Sequence, residues 1–228
     1  MPSWSGTLAE LQAAQATVGP QAFDQVRKKY IAMATQLTGR ATILYGTNWT
    51  SPDPNIPPAM LSINDGDLQG LMEVVHGVNN PNLDLILHSP GGGIDAAAAL
   101  VCYLRSKFTD IRVVVPSLAM SAAAMIACAG NTILMGKHSF LGPADPQFFL
   151  PTPLGQRQVA AQSVVAQFKK AQKECIDDPR NLAVWAPILS QYGPDLLVQA
   201  EHATKLSQSY VKNWLESYML ADDPDRMA

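Results

Sequence analysis

Residues 117–130 read Ser-Leu-Ala-Met-Ser-Ala-Ala-Ala-Met-Ile-Ala-Cys-Ala-Gly, directly after the largely β-branched run 112–115. The change from β-branched to small residues predicts a strand, a tight turn, and a helix that begins at Ser121 and ends before Gly130. Ser121 is therefore expected at the N-terminus of a helix, beside the end of a strand. It is the first candidate for a reactive side chain.

The alternation of strand and helix continues on both sides of this stretch. A strand is predicted over 83–88, a helix over 95–108 and a further strand over 132–135. Alternation at this length predicts an α/β fold with a parallel sheet and right-handed crossovers. In such a sheet the loops that follow the strand ends lie at one edge, so the glycine run 89–93 and Ser121 are expected there together.

The N-terminal part is predicted to be mainly helical. Apolar residues recur at helical spacing over 8–37, and the pair Gly19-Pro20 interrupts them, which predicts one or two amphipathic helices packed on a sheet or on a neighbouring subunit. A buried strand is predicted over 41–45. The segment 50–58 contains four prolines and is expected to be an extended loop.

The C-terminal third is predicted to be a loop over 150–155 followed by helices, the last of them amphipathic over 195–220. The expected organisation has three parts: an N-terminal helical segment (1–40), a catalytic core (41–150), and a helical region that completes the cleft or an oligomer interface (151–228).

Composition limits the classes of function. With 228 residues, 47% of them apolar, the chain can bury the core of one α/β domain. A net charge of −3 with 16 basic residues predicts no nucleic-acid partner and no basic membrane-binding patch. No apolar run approaches the roughly 20 residues of a membrane span. The three cysteines form no CxxC pair; Cys102 and Cys128 are expected in the core of a cytoplasmic protein.

The residues at the expected sheet edge have the elements of nucleophilic catalysis. A serine needs a base to take its proton and donors to hold the developing oxyanion. Gly91 and Gly92 can point their backbone N–H groups outward, and Ala122 adds an N–H at a helix start. Each signal is weak alone, since a glycine run is usually a turn and Ser121 could be a helix N-cap. The glycine run and Ser121 lie one β-α unit apart at the same edge of the expected sheet, and this combination favours a catalytic site.

Three motifs in this order resemble those of a known family. They are His88-Ser89-Pro90-Gly91-Gly92, then Val115-Pro116 with Ala119-Met120-Ser121-Ala122, then Leu141-Gly142-Pro143-Ala144-Asp145-Pro146-Gln147. From about residue 41 onward the chain is similar to the serine dehydrogenase proteinase family, relatives of the signal peptide peptidases and, more distantly, of the Clp protease proteolytic subunit and the crotonases. The resemblance implies a Clp/crotonase-like fold, hydrolysis of peptides, and assembly into homo-oligomers.

The resemblance also assigns roles to residues of this chain. It implies that Ser121 is the nucleophile and that Gly92 and Ala122 are the oxyanion donors. It further suggests that Asp145 and Gln147 border the cleft and orient main-chain groups of the substrate, although the prolines of that motif also fit a rigid scaffold turn. We expect neither a metal nor a cofactor.

The general base is open at this point. A Clp-type histidine would fall at Pro143, so His138 fits a turn residue unless the register shifts. In the signal peptide peptidase branch the base is a lysine, and a helix predicted over 162–175 carries three candidates, Lys169, Lys170 and Lys173. Lys173 has a plausible separation from Ser121 and is the expected base. Each lysine could equally be a solvated charge, because a lysine base requires a lowered pKa.

Two other functions compete with a Ser-Lys peptidase. A crotonase-type acyl-CoA enzyme shares the fold and the oxyanion hole but uses carboxylate bases, and the turn at Ser121 argues against it. A non-catalytic oligomeric scaffold is favoured if Ser121 has no base.

Overall fold

The computed structural model describes residues 3–152, 155–190, 193 and 195–222. The strands are β1 (Ala41–Gly46), β2 (Asn82–His88), β3 (Asp110–Val115), β4 (Leu118–Ala119), β5 (Thr132–Met135), β6 (Phe140–Leu141), β7 (Gln147–Thr152) and β8 (Gly155–Ala160). The α-helices are α1 (Trp4–Val18), α2 (Ala22–Thr38), α3 (Gly66–Val75), α4 (Ile94–Lys107), α5 (Ala122–Cys128), α6 (Ala161–Asp177), α7 (Leu182–Leu189) and α8 (Leu196–Trp214).

The predicted α/β architecture is confirmed. Strands β1, β2, β3 and β5 form a parallel sheet in that order, and α3, α4 and α5 lie in the crossovers between them. Strands β4 and β6 pair in parallel beside the sheet, and Ser89 bridges to Ala119 of β4. These short pairings tie together the loops that leave β2 and β3, which is where both predicted motifs lie.

One face of the sheet forms the core. Side chains of alternate residues on the inner strands, such as Leu83 and Leu87 on β2 and Val113 and Val115 on β3, are fully buried. They pack with α3, α4 and α5, and the C-terminal helix α8 adds Trp214 to the same cluster. The two-residue alternation follows from strand geometry, and the small side chains of α5 allow its close approach to the sheet.

The chain opens with two helices, within the predicted one or two, but only α2 has the expected buried side, with Ala22 and Val26 buried, whereas α1 has no buried residue. A single turn of 3-10 helix at Gly19–Gln21 separates α1 from α2. Helix α1 ends where Gly19 takes a positive φ of 63°, as the Gly19-Pro20 pair predicts.

The prediction of a loop over 150–155 is wrong. The chain forms an antiparallel hairpin there, with Gln147 opposite Ala160 and Thr152 opposite Gly155; residues 153 and 154 lie outside the described part. A two-stranded hairpin tolerates proline because each strand has a free outer edge that needs no donor. Helix α6 consequently begins at Ala161, one residue before the helix predicted over 162–175.

Cys102, expected in the core, is exposed on α4, and Cys128 is partly exposed. No helix in the described ranges is both long and apolar enough to cross a bilayer. Within the same ranges no group of His, Cys, Asp and Glu side chains is arranged to hold a metal ion.

Candidate active site

Ser121 has an unusual backbone conformation. It lies immediately before α5 with φ 50° and ψ −121°, and among the described non-glycine residues it alone has a positive φ. Such a conformation typically costs about 1–3 kcal/mol and persists only where the surroundings impose it. The Ser121 side chain makes no capping hydrogen bond to α5, so the simple N-cap interpretation does not hold.

The Ser121 hydroxyl is turned instead toward the third motif. Its Oγ donates a hydrogen bond of 3.0 Å to the backbone carbonyl of Asp145. The Gln147 side-chain amide donates to the same carbonyl at 3.2 Å. The structure therefore brings Ser121, Asp145 and Gln147 together. A carbonyl oxygen cannot act as a base, so this is a resting orientation of the hydroxyl.

The glycine loop lies directly against the Ser121 turn. Gly91 has a φ of 93°, and a Cβ placed on it would be 2.5 Å from the Met120 carbonyl oxygen, 2.7 Å from Ser121 Cβ and 2.9 Å from Ala122 N. Only a residue without a side chain fits so close an approach. The loop is held by the hydrogen bond from Met120 N–H to the Ser89 carbonyl, at 3.0 Å. Gly91 and Ala122 are thus neighbours in space.

The three expected oxyanion donors differ in what their N–H groups contact. Gly91 N–H donates to Ser89 Oγ at 3.1 Å. Gly92 forms a parallel bridge with Ile63 that uses the Gly91 carbonyl and the Gly93 N–H, which leaves the Gly92 N–H without an acceptor in the described part. Ala122 is the first residue of α5, where an N–H has no partner within its helix. Gly92 and Ala122 therefore keep their donors available, and Gly91 does not.

A cavity of about 360 Å³ opens beside the Ser121 side chain. Its other lining residues are uncharged: Trp49, Pro90, Met120, Pro143 and Gln147. Trp49 stacks on His88 with ring centroids 6.0 Å apart. The sequence analysis missed Trp49. Its position in the loop after β1, at the carboxyl edge of the sheet, is the signal that could have found it.

The segment that carries Asp145 is anchored from the C-terminal helices. Ser207 on α8 is buried and donates from Oγ to the Ala144 carbonyl at 2.5 Å. Burial raises the pKa of the Asp145 carboxyl, and a hydrogen bond from the Gln162 backbone at the start of α6 opposes this. Sequence reasoning gave no indication of Ser207, because a single serine on an amphipathic helix carries no distinguishing pattern.

None of the three candidate lysines lines the Ser121 cavity. Lys169, Lys170 and Lys173 are all exposed on α6, and Lys170 lies 3.9 Å from Glu174. His138 is in a turn, with Nε2 3.0 Å from the Pro116 carbonyl. Of the described residues that line the Ser121 cavity, none is basic. The role of Lys173 stays a prediction.

Larger cavities lie elsewhere, along α8. One of 540 Å³ is lined by Lys169, Glu201 and Lys205 among others, and one of 610 Å³ includes Asp95 and His202. Neither is lined by Ser121, so the smaller cavity is the candidate active site.

The fold and the site together define a Clp-like α/β protein with a serine at the carboxyl edge of its parallel sheet. The chain belongs to the family of ClpP-like SDH-type serine proteinases, whose model matches residues 60–186. The match covers the glycine loop, the Ser121 turn and the Asp145 segment.

The curated proteins that match this chain have no assigned activity. Two uncharacterized proteins of Methanocaldococcus jannaschii are 38% and 35% identical to this chain, over 42% and 40% of its length. The matches cover 31% and 29% of those proteins, so the chain spans about a third of the length of the relatives it matches. Among solved structures, the ClpP protease catalytic domain from Plasmodium falciparum matches 47% of this chain and 60% of its own, at 16% identity and a TM-score of 0.33.

Proposed function

We propose that the protein is a serine endopeptidase that uses Ser121 as its nucleophile and Lys173 as its general base. The observation that carries the proposal is the left-handed backbone of Ser121, which turns the hydroxyl away from its helix and toward the cleft. Backbone strain of this kind is concentrated at functional sites. Three free cysteines suit a reducing compartment, so the proposal places the enzyme in the cytoplasm.

In the proposed reaction, Ser121 Oγ attacks the carbonyl carbon of a peptide bond while its proton passes to a neutral lysine Nζ. The N–H groups of Gly92 and Ala122 hold the oxyanion, and each such donor is typically worth about 3 kcal/mol in the transition state. The lysine returns the proton to the leaving amine as the C–N bond breaks, and water hydrolyses the acyl-enzyme. The uncharged cavity lining favours an apolar side chain next to the cleaved bond.

The proposed dyad of Ser121 and Lys173 requires a contact that a single copy of the chain does not make. Lys173 is exposed on α6 and does not line the cavity. A second copy could supply it in the oligomer that the family resemblance implies. Mixing inactive Ser121→Ala with inactive Lys173→Ala tests this: regained activity supports a dyad formed between copies, and no activity in a mixed oligomer contradicts it.

A labelling experiment tests the proposal as a whole. A fluorophosphonate probe is expected to label the wild-type chain at Ser121, and Ser121→Ala is expected to abolish labelling with the fold intact by circular dichroism. Ser117→Ala, a matched change in the same stretch, should label normally. Full peptidase activity in Lys173→Ala would refute the assignment of the base.

A non-catalytic scaffold is the second candidate, because the described residues around the Ser121 cavity include no base. It predicts no labelling in an intact oligomer. A crotonase-type acyl-CoA enzyme is less well supported, since no carboxylate is among the described residues that line this cavity.

A further inference from the structure

The second face of the sheet has a row of apolar residues whose two ends are left exposed by the described part of the chain. Residues on this face pair in register across all four strands: Leu44 with Ile86, Ile86 with Val114, and Val114 with Leu134. Leu44 is 40% exposed and Leu134 is 51% exposed, whereas Ile86 and Val114 are partly buried. We call these four residues the open row.

A partner can cover the open row without burying an unpaired charge. The neighbouring row on the same face contains Asp84, whose carboxylate accepts hydrogen bonds from Arg112 Nε at 2.9 Å and Arg112 Nη2 at 2.7 Å and lies 2.8 Å from Arg40 Nε. The charge of Asp84 is thus already compensated within the chain. A sheet normally buries each apolar face against another layer, and an uncovered apolar row indicates an interaction surface.

The N-terminal helices of the same chain carry exposed apolar side chains. Helices α1 and α2 form an antiparallel arm, held by the hydrogen bond from the Tyr30 hydroxyl to Glu10 at 2.7 Å. Helix α1 has no buried residue. Trp4 on α1 is 83% exposed, and Phe23 and Met33 on α2 are 51% and 48% exposed. Helix α1 packs mainly on α2 within the described part, so a further contact on its outer side would stabilise it.

The arm cannot cover the sheet of its own chain as it is placed here. Helix α2 ends at Thr38 and leads within three residues into β1, beside which it packs. Leu44 and Leu134 remain exposed with the arm in this position. The arm and the open row are therefore two separate surfaces on one molecule.

The two surfaces match in size. Two helices side by side are about 20 Å wide, and four strands about 4.8 Å apart are roughly 19 Å wide. A 17-residue helix such as α2 is about 25 Å long, enough to cross the sheet. A footprint of about 20 by 19 Å is roughly 400 Å² in projection, about half of a standard interface per partner, and each copy in a head-to-tail assembly makes two such contacts.

We propose that the α1–α2 arm of one copy packs on the open row of a second copy. The contact is head-to-tail, since each copy donates its arm and receives another, and repetition of it produces a ring or a larger assembly. The occupant of the open face is thus this protein itself. The inference does not depend on whether Ser121 is catalytic.

Particle size of the full chain, measured by light scattering, tests the proposal. Wild type is expected to be oligomeric, and Leu134→Asp on the open row or Phe23→Asp with Met33→Asp on the arm should weaken assembly about a hundredfold or more, because each buries an unpaired carboxylate. Met72→Asp is a matched control: Met72 is 49% exposed on α3, on the opposite side of the sheet. It should assemble like wild type. Circular dichroism checks that each variant is folded.

Mixing the variants distinguishes head-to-tail contact from other modes. The Leu134→Asp chain keeps a normal arm and the arm variant keeps a normal sheet face, so an equimolar mixture should form dimers and nothing larger. A monomeric wild type, or an arm variant of wild-type size, overturns the proposal.

A cross-link identifies the contact directly. A photoreactive phenylalanine analogue in place of Met33, in a mixture of isotope-labelled and unlabelled chains, should cross-link to β1, β2, β3 or β5 of the other copy. Cross-links only within one chain, or only to other surfaces, contradict the inference.

Discussion

At the scale of single residues, Ser121 and Gly91 depend on each other. The positive φ of Ser121 brings its Cβ close to the glycine loop, and the space exists because Gly91 has no side chain. The strain at one residue is thus matched by the absence of atoms at the other. A conformation imposed in this way orients the hydroxyl before any substrate arrives.

Gly91→Ala is expected to disrupt this contact. The new methyl group would lie 2.5 Å from the Met120 carbonyl oxygen and 2.7 Å from Ser121 Cβ, so the serine turn must move. We expect the rate of fluorophosphonate labelling to fall about 100-fold or more, a loss similar to that of one oxyanion donor. Intact-mass spectrometry over a time course measures the rate.

Gly70→Ala provides the control for that substitution. Gly70 lies in α3 with no atom within 4 Å of the added Cβ, so this variant should label normally and gain roughly 0.5–1 kcal/mol of stability. Equal labelling of the two variants would show that the close approach at Gly91 is not needed.

At the scale of elements, Arg40 connects the arm to the sheet. It follows α2 and donates to the Asp110 carboxylate at 2.7 Å and to the backbone carbonyls of Leu83 and Asp110 at 3.1 and 2.9 Å. It also lies 2.8 Å from the buried Asp84. One side chain therefore joins the start of β1 to β2 and β3.

Arg40→Ala should lower the free energy of unfolding by about 2 kcal/mol, because two carbonyls and part of a buried ion pair lose their partner. Arg40→Lys should recover only part of this, since an ammonium group cannot reproduce the fork of donors. Urea denaturation measures both. Arg27→Ala, which removes an exposed pair with Asp24, should change stability by less than about 0.5 kcal/mol, and an equal loss there would refute the role of Arg40.

At the scale of the whole molecule, two carboxyls make opposite contributions to stability as pH changes. The hydrogen bond from Arg40 lowers the pKa of Asp110, so its contribution is lost as pH falls. Burial raises the pKa of Asp145 above its ordinary value near 3.8. The folded chain holds that proton more tightly than the unfolded chain, so stability decreases as pH rises through the raised pKa.

Asp145→Asn is expected to flatten this decrease and to raise the melting temperature at neutral pH but not in acid. The amide oxygen can still accept from the Gln162 backbone, and the main-chain carbonyl that holds Ser121 is unchanged. Melting curves from about pH 4 to 7 measure the effect. An unchanged pH profile would show that Asp145 is not destabilised by burial in solution.

Sequence reasoning was accurate where local pattern and chain order determine the outcome. Strand β5 lies at the predicted residues 132–135, and the parallel sheet brings the glycine loop beside Ser121 as expected. It failed for the β7–β8 hairpin, because prolines and a glycine suggested a loop while cross-strand backbone pairing determined the structure. The spacing of Lys173 from Ser121 along the chain does not determine which residues line the cavity, and Lys173 is not among them. Trp49 belongs to no recognisable motif.

The Ser207 hydroxyl lies 63 positions from the Ala144 carbonyl that it holds, and it comes from the other end of the chain. The next residue, Asp145, carries the carbonyl that accepts the Ser121 hydroxyl, so a helix outside all three motifs holds the segment beside Ser121. If the three motif loops were moved to a different scaffold, the candidate serine would lose this support. The geometry at Ser121 therefore depends on the whole fold and not on the motif loops alone.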